Sequence, residues 1–179
     1  MNKGRLFIFF LLSLVLVTAG LSFFLPTHQT IKKSVTINAP VAKIFAHLSK
    51  LENFNKLTVW GLQDSLLQYS YTGMDGSVGA STTWKGTPEI SGQGTITVTG
   101  LQVDRTIGHD INFTTPQKGA ATSTFNLLPT GNTTTEVSWV FKMATPRPMN
   151  IFNLLFSLDE QMGVDFEKGL SALKMRMEK

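Results

Sequence analysis

Residues 152–177 read Phe-Asn-Leu-Leu-Phe-Ser-Leu-Asp-Glu-Gln-Met-Gly-Val-Asp-Phe-Glu-Lys-Gly-Leu-Ser-Ala-Leu-Lys-Met-Arg-Met. Phe152, Leu155, Phe156, Asp159, Met162, Phe166, Leu170, Leu173 and Met177 recur at spacings of three and four. That spacing predicts a long helix with one largely apolar stripe, interrupted if anywhere near Gly163. A striped helix needs a partner surface, and the upstream sequence supplies one. From about Leu66 to Met143 the pattern is that of strands. Ile96 and Val98 alternate with threonines, and Ile107, His109, Ile111 and Phe113 share one face. Ala121, Ser123, Phe125 and Leu127 share another face, and Val137, Trp139, Phe141 and Met143 a third. Gly73 to Gly76, Gly79 and Pro129 to Asn132 punctuate the strands as turns. Several short strands with frequent turns predict one antiparallel sheet, and Pro146 and Pro148 separate it from the helix.

Upstream of the sheet, Ile31 to Ile37 alternates as a first strand. Asn38 is a candidate N-cap and Pro40 fits a first helical turn. Val41, Ile44, Phe45 and Leu48 then mark one short helix, and Leu51, Phe54 and Leu57 a second. A sheet with one long helix laid across it is an α+β domain, expected over residues 31–179.

Ahead of it lies a stretch of different character. Residues 6–25 contain no charge, after a tail of residues 1–5 carrying Lys3 and Arg5. Twenty helical residues rise about 30 Å, the thickness of a bilayer's hydrocarbon core. The stretch predicts a transmembrane helix, joined to the domain by a linker over residues 26–30. A cleaved signal peptide is the alternative, with Val17-Thr18-Ala19 as its small-residue site, but the apolar run is long for one. Lys3 and Arg5 favour a cytoplasmic N-terminus and an extracytoplasmic domain, although Lys32, Lys33 and Lys43 oppose that bias.

Composition removes several function classes. The chain has no cysteine, so disulfides, thiolate nucleophiles, iron–sulfur clusters and cysteine zinc sites are excluded. Without Lys3 and Arg5 the remaining 14 basic and 12 acidic residues leave a net charge of +2, no footprint for nucleic acid. His28, His47 and His109 have no metal-ligand spacing, and no cofactor motif is present. Gly92-Gln-Gly94 leads into a strand, whereas a phosphate-binding loop should open a helix.

Particular words in the chain resemble the polyketide cyclase/dehydrase branch of the START-like superfamily, also called SRPBCC. They are Val35-Thr-Ile-Asn-Ala-Pro-Val-Ala-Lys-Ile-Phe45, Gly76-Ser-Val-Gly-Ala80 with Trp84-Lys-Gly86, and Gly92-Gln-Gly-Thr-Ile96. Thr135-Glu-Val-Ser-Trp139 and Gly163-Val-Asp-Phe-Glu-Lys-Gly-Leu170 with Leu173-Lys174 complete them. The resemblance implies a helix-grip fold, a curved sheet wrapped around the terminal helix, with a cavity that takes lipids, sterols, polyketides or other apolar molecules. The family's aromatic-proline word is replaced here by Leu57-Thr-Val-Trp60.

A small hydrophobic or lipid-like ligand is therefore the expected partner, and the membrane is reached through residues 6–25. Trp84, Phe113, Phe125, Trp139 and Phe141 on strands, with Phe156, Met162 and Phe166 on the terminal helix, are the candidate cavity residues. Trp60 is a candidate at one end, and His109 and Asp159 are candidate polar handles. Core packing would use many of the same side chains. No catalytic residue is assigned. His109 and Asp110 are adjacent on a strand, point to opposite faces and cannot act as base and orienter. A cyclase- or dehydratase-like enzyme would draw on His109, Asp159 and Tyr69. A membrane-tethered protein-interaction module is the third reading.

Overall fold

The computed structural model describes residues 3–58 and 63–179. Helix α1 (Lys3–Ser22) stands apart at the N-terminus, its side chains exposed except near its C-terminal end. Strand β1 (His28–Ile37) follows, then α2 (Val41–Leu48) and α3 (Leu51–Asn55). The sheet continues through β2 (Gln68–Thr72), β3 (Ser81–Lys85), β4 (Gln93–Gln102), β5 (Thr106–Thr115), β6 (Gly119–Gly131) and β7 (Thr134–Ala144). A 3-10 segment (Met149–Leu154) leads to the terminal helix α4 (Leu158–Met177).

The seven strands form one antiparallel sheet in the order β1-β7-β6-β5-β4-β3-β2, so β1 and β2 are its edges. Register fixes rows across the inner face. One row runs Ile31, Phe141, Ser123, His109 and Val98. The next, one step nearer α1, runs Met143, Ala121, Ile111, Ile96, Thr82 and Tyr71. The row beyond joins Gly119, Phe113, Gly94, Trp84 and Tyr69. His28 pairs with Ala144, so the end of the sheet that carries this last row is also the end reached from α1.

The alternating faces read from the sequence hold. Ile107, His109 and Ile111 are buried, as are Ala121, Ser123, Phe125 and Leu127. Helix α4 buries Leu158, Phe166, Leu170, Leu173 and Met177 against the sheet. It lies close because it carries glycine where the approach is tightest. A Cβ on Gly169 would sit 2.7 Å from the Leu57 carbonyl oxygen and 3.1 Å from the Trp139 ring.

Three expectations need correction. The terminal stripe does not run unbroken from Phe152, and the break is not at Gly163. Ser157 caps α4 by accepting from the Glu160 N–H at 3.3 Å. The Gln29 amide accepts from the Leu158 N–H at 2.8 Å and donates to the Phe156 carbonyl at 3.0 Å. These bonds satisfy the backbone at the junction, so α4 begins at Leu158 and the earlier residues take their own course. Pro40, not Asn38, occupies the N-cap position of α2, while the Asn38 N–H donates to Glu178 at 2.8 Å. Strand β1 begins at His28, inside the stretch read as linker, because pairing with β7 extends that far.

Candidate functional site

Aromatic side chains meet where α3 and α4 face the sheet. Phe125 stacks on Trp139 with ring centroids 4.9 Å apart, and Trp139 meets Phe166 of α4 at 4.3 Å. Phe141 reaches the same phenylalanine at 5.3 Å. Phe54 enters from α3, edge-on to Phe125 and Trp139 and stacked over His109 at 4.5 Å. The Trp139 indole donates to the Ser123 hydroxyl at 2.8 Å, so this tryptophan is satisfied while fully enclosed.

His109 differs. Its imidazole is 1% exposed, and neither Nδ1 nor Nε2 has a hydrogen-bond partner among the described residues. Burial pushes its pKa from 6.5 down to about 4, against a smaller opposing pull from the Ser123 backbone beside it, whose geometry falls short of a hydrogen bond, so the ring is neutral at pH 7. A buried polar group without a partner costs about 1–3 kcal/mol, and native interiors hold few of them. The next residue along α3 repeats the pattern. Asn55 donates to Tyr71 Oη at 3.2 Å and Thr82 Oγ1 at 3.3 Å, but its Oδ1 has no partner among the described residues. Both polar groups are at α3, His109 beneath its Phe54 and Asn55 on the helix itself.

From His109 toward α1 the inner face becomes more open. Phe113, Met143 and Tyr69 point inward yet are only partly buried. Trp84 is buried edge-on to Phe113, their centroids 5.5 Å apart, and its indole donates to the Ser91 carbonyl at 2.9 Å. Burial pushes the Tyr69 phenol pKa up. Two residues along a strand advance about 6.6 Å, so His109 lies about 13 Å inside the row of Phe113.

The β2 side of this opening is pinned by a residue that the sequence reading passed over. Asp64 accepts from the Thr87 N–H at 2.7 Å, Thr87 Oγ1 at 3.1 Å, Ser91 Oγ at 2.5 Å and the Leu66 N–H at 3.0 Å. These bonds, led by Ser91, hold its carboxyl below the usual carboxylate range. They fasten the segment after α3 to the β3–β4 hairpin. The sequence carried no signal for this, because the partners are separated by more than 20 residues and no spacing rule connects them.

Of the candidate residues, the structure brings Phe125, Trp139, Phe141, Phe166 and His109 into one cluster, with Trp84 and Phe113 paired nearer the α1 end. Met162 is half-buried at its margin. Two candidates lie elsewhere. Phe156 falls in the break before α4 and is exposed. Asp159, in α4's first turn and half-exposed, is 3.3 Å from Lys33 of β1, which also meets Glu167 at 3.0 Å. The stripe's phase, read across the break, misplaced Phe156, whereas Asp159 is within α4 and serves in an ion pair, the role its position beside Glu160 favoured over acid/base work. Trp60 lies outside the described residues. Among the described residues, no cluster of three or more histidine, aspartate or glutamate side chains could hold a metal ion.

A curved antiparallel sheet gripping a long terminal helix, with two short helices after the first strand, defines the helix-grip class. Solved structures agree on that fold. The protein CV1439 from Chromobacterium violaceum superposes with a TM-score of 0.57 at 14% identity, covering 84% of this chain and 99% of its own. Norcoclaurine synthase from Thalictrum flavum, solved in complex with dopamine and hydroxybenzaldehyde, gives 0.59 at 13% identity, covering 85% and 89%. Protein Mll3558 from Rhizobium loti gives 0.56 at 15%, covering 82% and 94%. Residues 28–178 match the family described as polyketide cyclase / dehydrase and lipid transport, and the chain belongs to that family. No curated protein sequence matches it.

Proposed function

We propose that the chain is a membrane-anchored ligand-binding domain that takes a small hydrophobic or lipid-like molecule between sheet and α4. The observation that carries this reading is His109, enclosed by aromatic rings with neither nitrogen partnered among the described residues. A ligand with one polar atom would meet the imidazole and bury the rest of itself against Trp84, Phe113, Phe141 and Phe166. A ligand losing about 300 Å² of apolar surface gains on the order of 7 kcal/mol before the entropy of binding is subtracted. The partly buried end of the inner face, at Phe113, Met143 and Tyr69, is the way in. Phe54 is the plug, because α3 is a five-residue helix and its phenyl ring occupies the space over His109.

The anchor is α1, long and apolar enough to cross a bilayer, with Lys3 and Arg5 on the cytoplasmic side and the domain outside. It holds the open end of the sheet near lipid, which favours a membrane-derived ligand. A cyclase- or dehydratase-like step is the second reading. It is favoured by one fact, that a neutral His109 can accept a proton, and it lacks the help of Asp159, which is engaged by Lys33.

Native mass spectrometry of the full chain, released from detergent, tests the binding reading. The expected spectrum contains a second species carrying a co-purified molecule, and that species weakens in His109→Phe. A spectrum of bare protein only, together with no uptake of added fatty acid or aromatic polyketide probes, would overturn it.

A further inference from the structure

The segment before α4 gathers apolar side chains that the fold leaves in the open. Leu154 is 67% exposed, Leu155 74% and Phe156 55%, with Met149 and Phe152 also exposed. These side chains are beside the end of α1, where Phe23 and Phe24 are exposed too. The contact between the two is built. The Asn150 side chain, fully buried, donates to the Ser22 carbonyl at 2.7 Å and the Leu25 carbonyl at 3.1 Å. Arg147 donates to the Ser22 and Phe23 carbonyls at 3.2 and 3.3 Å, its guanidinium 5.4 Å from the Phe23 ring centroid. Asn153 donates to the Pro26 carbonyl at 3.3 Å. These bonds take up carbonyls that a helix end leaves free, and they fix the 3-10 segment to α1 at one height.

That height is informative. Along α1 the residues shielded from solvent are Thr18, Ala19 and Ser22, all within the uncharged stretch 6–25. At 1.5 Å per residue Thr18 lies about 6 Å below Ser22, where α1 ends. If the stretch fills the hydrocarbon, the 3-10 segment packed on its last turns cannot remain in bulk water. Its chemistry suits the boundary, since residues 145–156 contain no acidic side chain and one basic one, Arg147. Apolar side chains with a single arginine match an acyl layer topped by phosphates.

We propose that Met149–Leu154 and its continuation to Phe156 lie in the bilayer interface beside the end of α1, seating the domain directly on the lipid surface. This rests on the reading of α1 as a membrane span and adds a second, peripheral contact to it. The seated face is on the β1 side of the sheet end that opens toward His109, so the opening stands beside lipid.

The chain has no cysteine, so single-cysteine variants report cleanly. Leu155→Cys, Phe10→Cys and Val103→Cys, in the full chain, are labelled with an environment-sensitive fluorophore. Each is reconstituted in phosphatidylcholine–phosphatidylglycerol vesicles containing lipid with a spin label high on the acyl chain. All three positions are exposed, so folding should survive substitution. Val103 is the control, in the β4–β5 hairpin at the far end of the sheet. The expected result is blue-shifted emission, quenched by the labelled lipid, at positions 155 and 10, with position 103 unchanged. Quenching at 10 but water-like emission at 155 would overturn the inference and leave the anchor intact. A blue shift at 155 without lipid quenching would overturn it in favour of a protein neighbour. Quenching at none of the three would remove the anchor reading and the inference with it.

Discussion

His109 offers the most quantitative test of how the interior is organised. The perturbation is His109→Leu, read as a function of pH. In the folded chain burial holds the imidazole at about 4, whereas in the unfolded chain it returns to 6.5. Between those values the unfolded state binds one more proton than the folded state, so stability rises with pH. The contribution is fully present above pH 6.5 and is lost as pH falls toward 4. At 1.36 kcal/mol per pH unit, the loss across that window is about 3 kcal/mol. The group is 1% exposed, so solvent screening does not reduce this figure much. Leucine removes the titration. It also removes a desolvation cost of about 1–3 kcal/mol for an unpartnered polar group, against about 0.5–1.5 kcal/mol of lost stacking on Phe54. The variant should therefore match or exceed the wild type at pH 7, and its advantage should grow by about 3 kcal/mol by pH 4. Thermal unfolding of both proteins in detergent, followed by near-ultraviolet circular dichroism, measures the difference. For a chain of this size each kcal/mol moves Tm by about 2–4 °C, so the gap in Tm should widen by roughly 10 °C on acidification. Other titrating groups are common to both proteins and cancel in the comparison. A gap that stays constant from pH 7 to pH 4 would refute the picture of a buried, unpartnered imidazole. A bound ligand that donates to His109 should narrow the gap.

Other expectations follow from the same contacts. Phe54→Ala should cost about 3–5 kcal/mol in urea unfolding and, by removing the plug, raise uptake of a small aromatic probe; loss of stability without added uptake would argue against the plug. Gly169→Ala should destabilise the domain by about 1–3 kcal/mol, since its Cβ would press on the Leu57 carbonyl, and thermal melting reads the change. Ser157→Ala should weaken the start of α4 by about 1 kcal/mol, seen as faster amide exchange at Glu160. Asp64→Ala should speed amide exchange at Thr87 while leaving the β6–β7 pairing protected. In the wild type, protonating Asp64 should do the same, because support from a carboxylate of lowered pKa is present at neutral pH and lost as pH falls through that lowered value.

Much of the architecture was legible in order and pattern. The period-two alternation from Ile107 to Phe113 and from Val137 to Met143 names the inner face, because a strand's side chains have nowhere else to go. The stripe from Met162 to Met177 names the buried side of α4 for the equivalent reason at a period of 3.6. The uncharged run 6–25 announces a helix suited to a bilayer without reference to anything that folds after it. Each of these depends on neighbours a few residues away, and local chemistry sets them.

What the sequence could not carry depends on distant partners. Phe156 continues the helical spacing on paper, but Gln29, more than 120 residues earlier, joins Ser157 in starting the helix afresh at Leu158. Lys33 looks like a surface lysine until β1 lies under α4 and sets it between Asp159 and Glu167. Asp64 looks like a loop residue until the β3–β4 hairpin comes to it. His109 was placed on the right face by its period, yet its solitude was decided by Phe54, delivered from α3 across the sheet. The sequence by itself determined the elements, their buried faces and the family. Tertiary packing alone decided which polar groups found partners and which apolar residues remained uncovered, because hydrogen bonds and burial are settled by proximity in space and not by spacing along the chain.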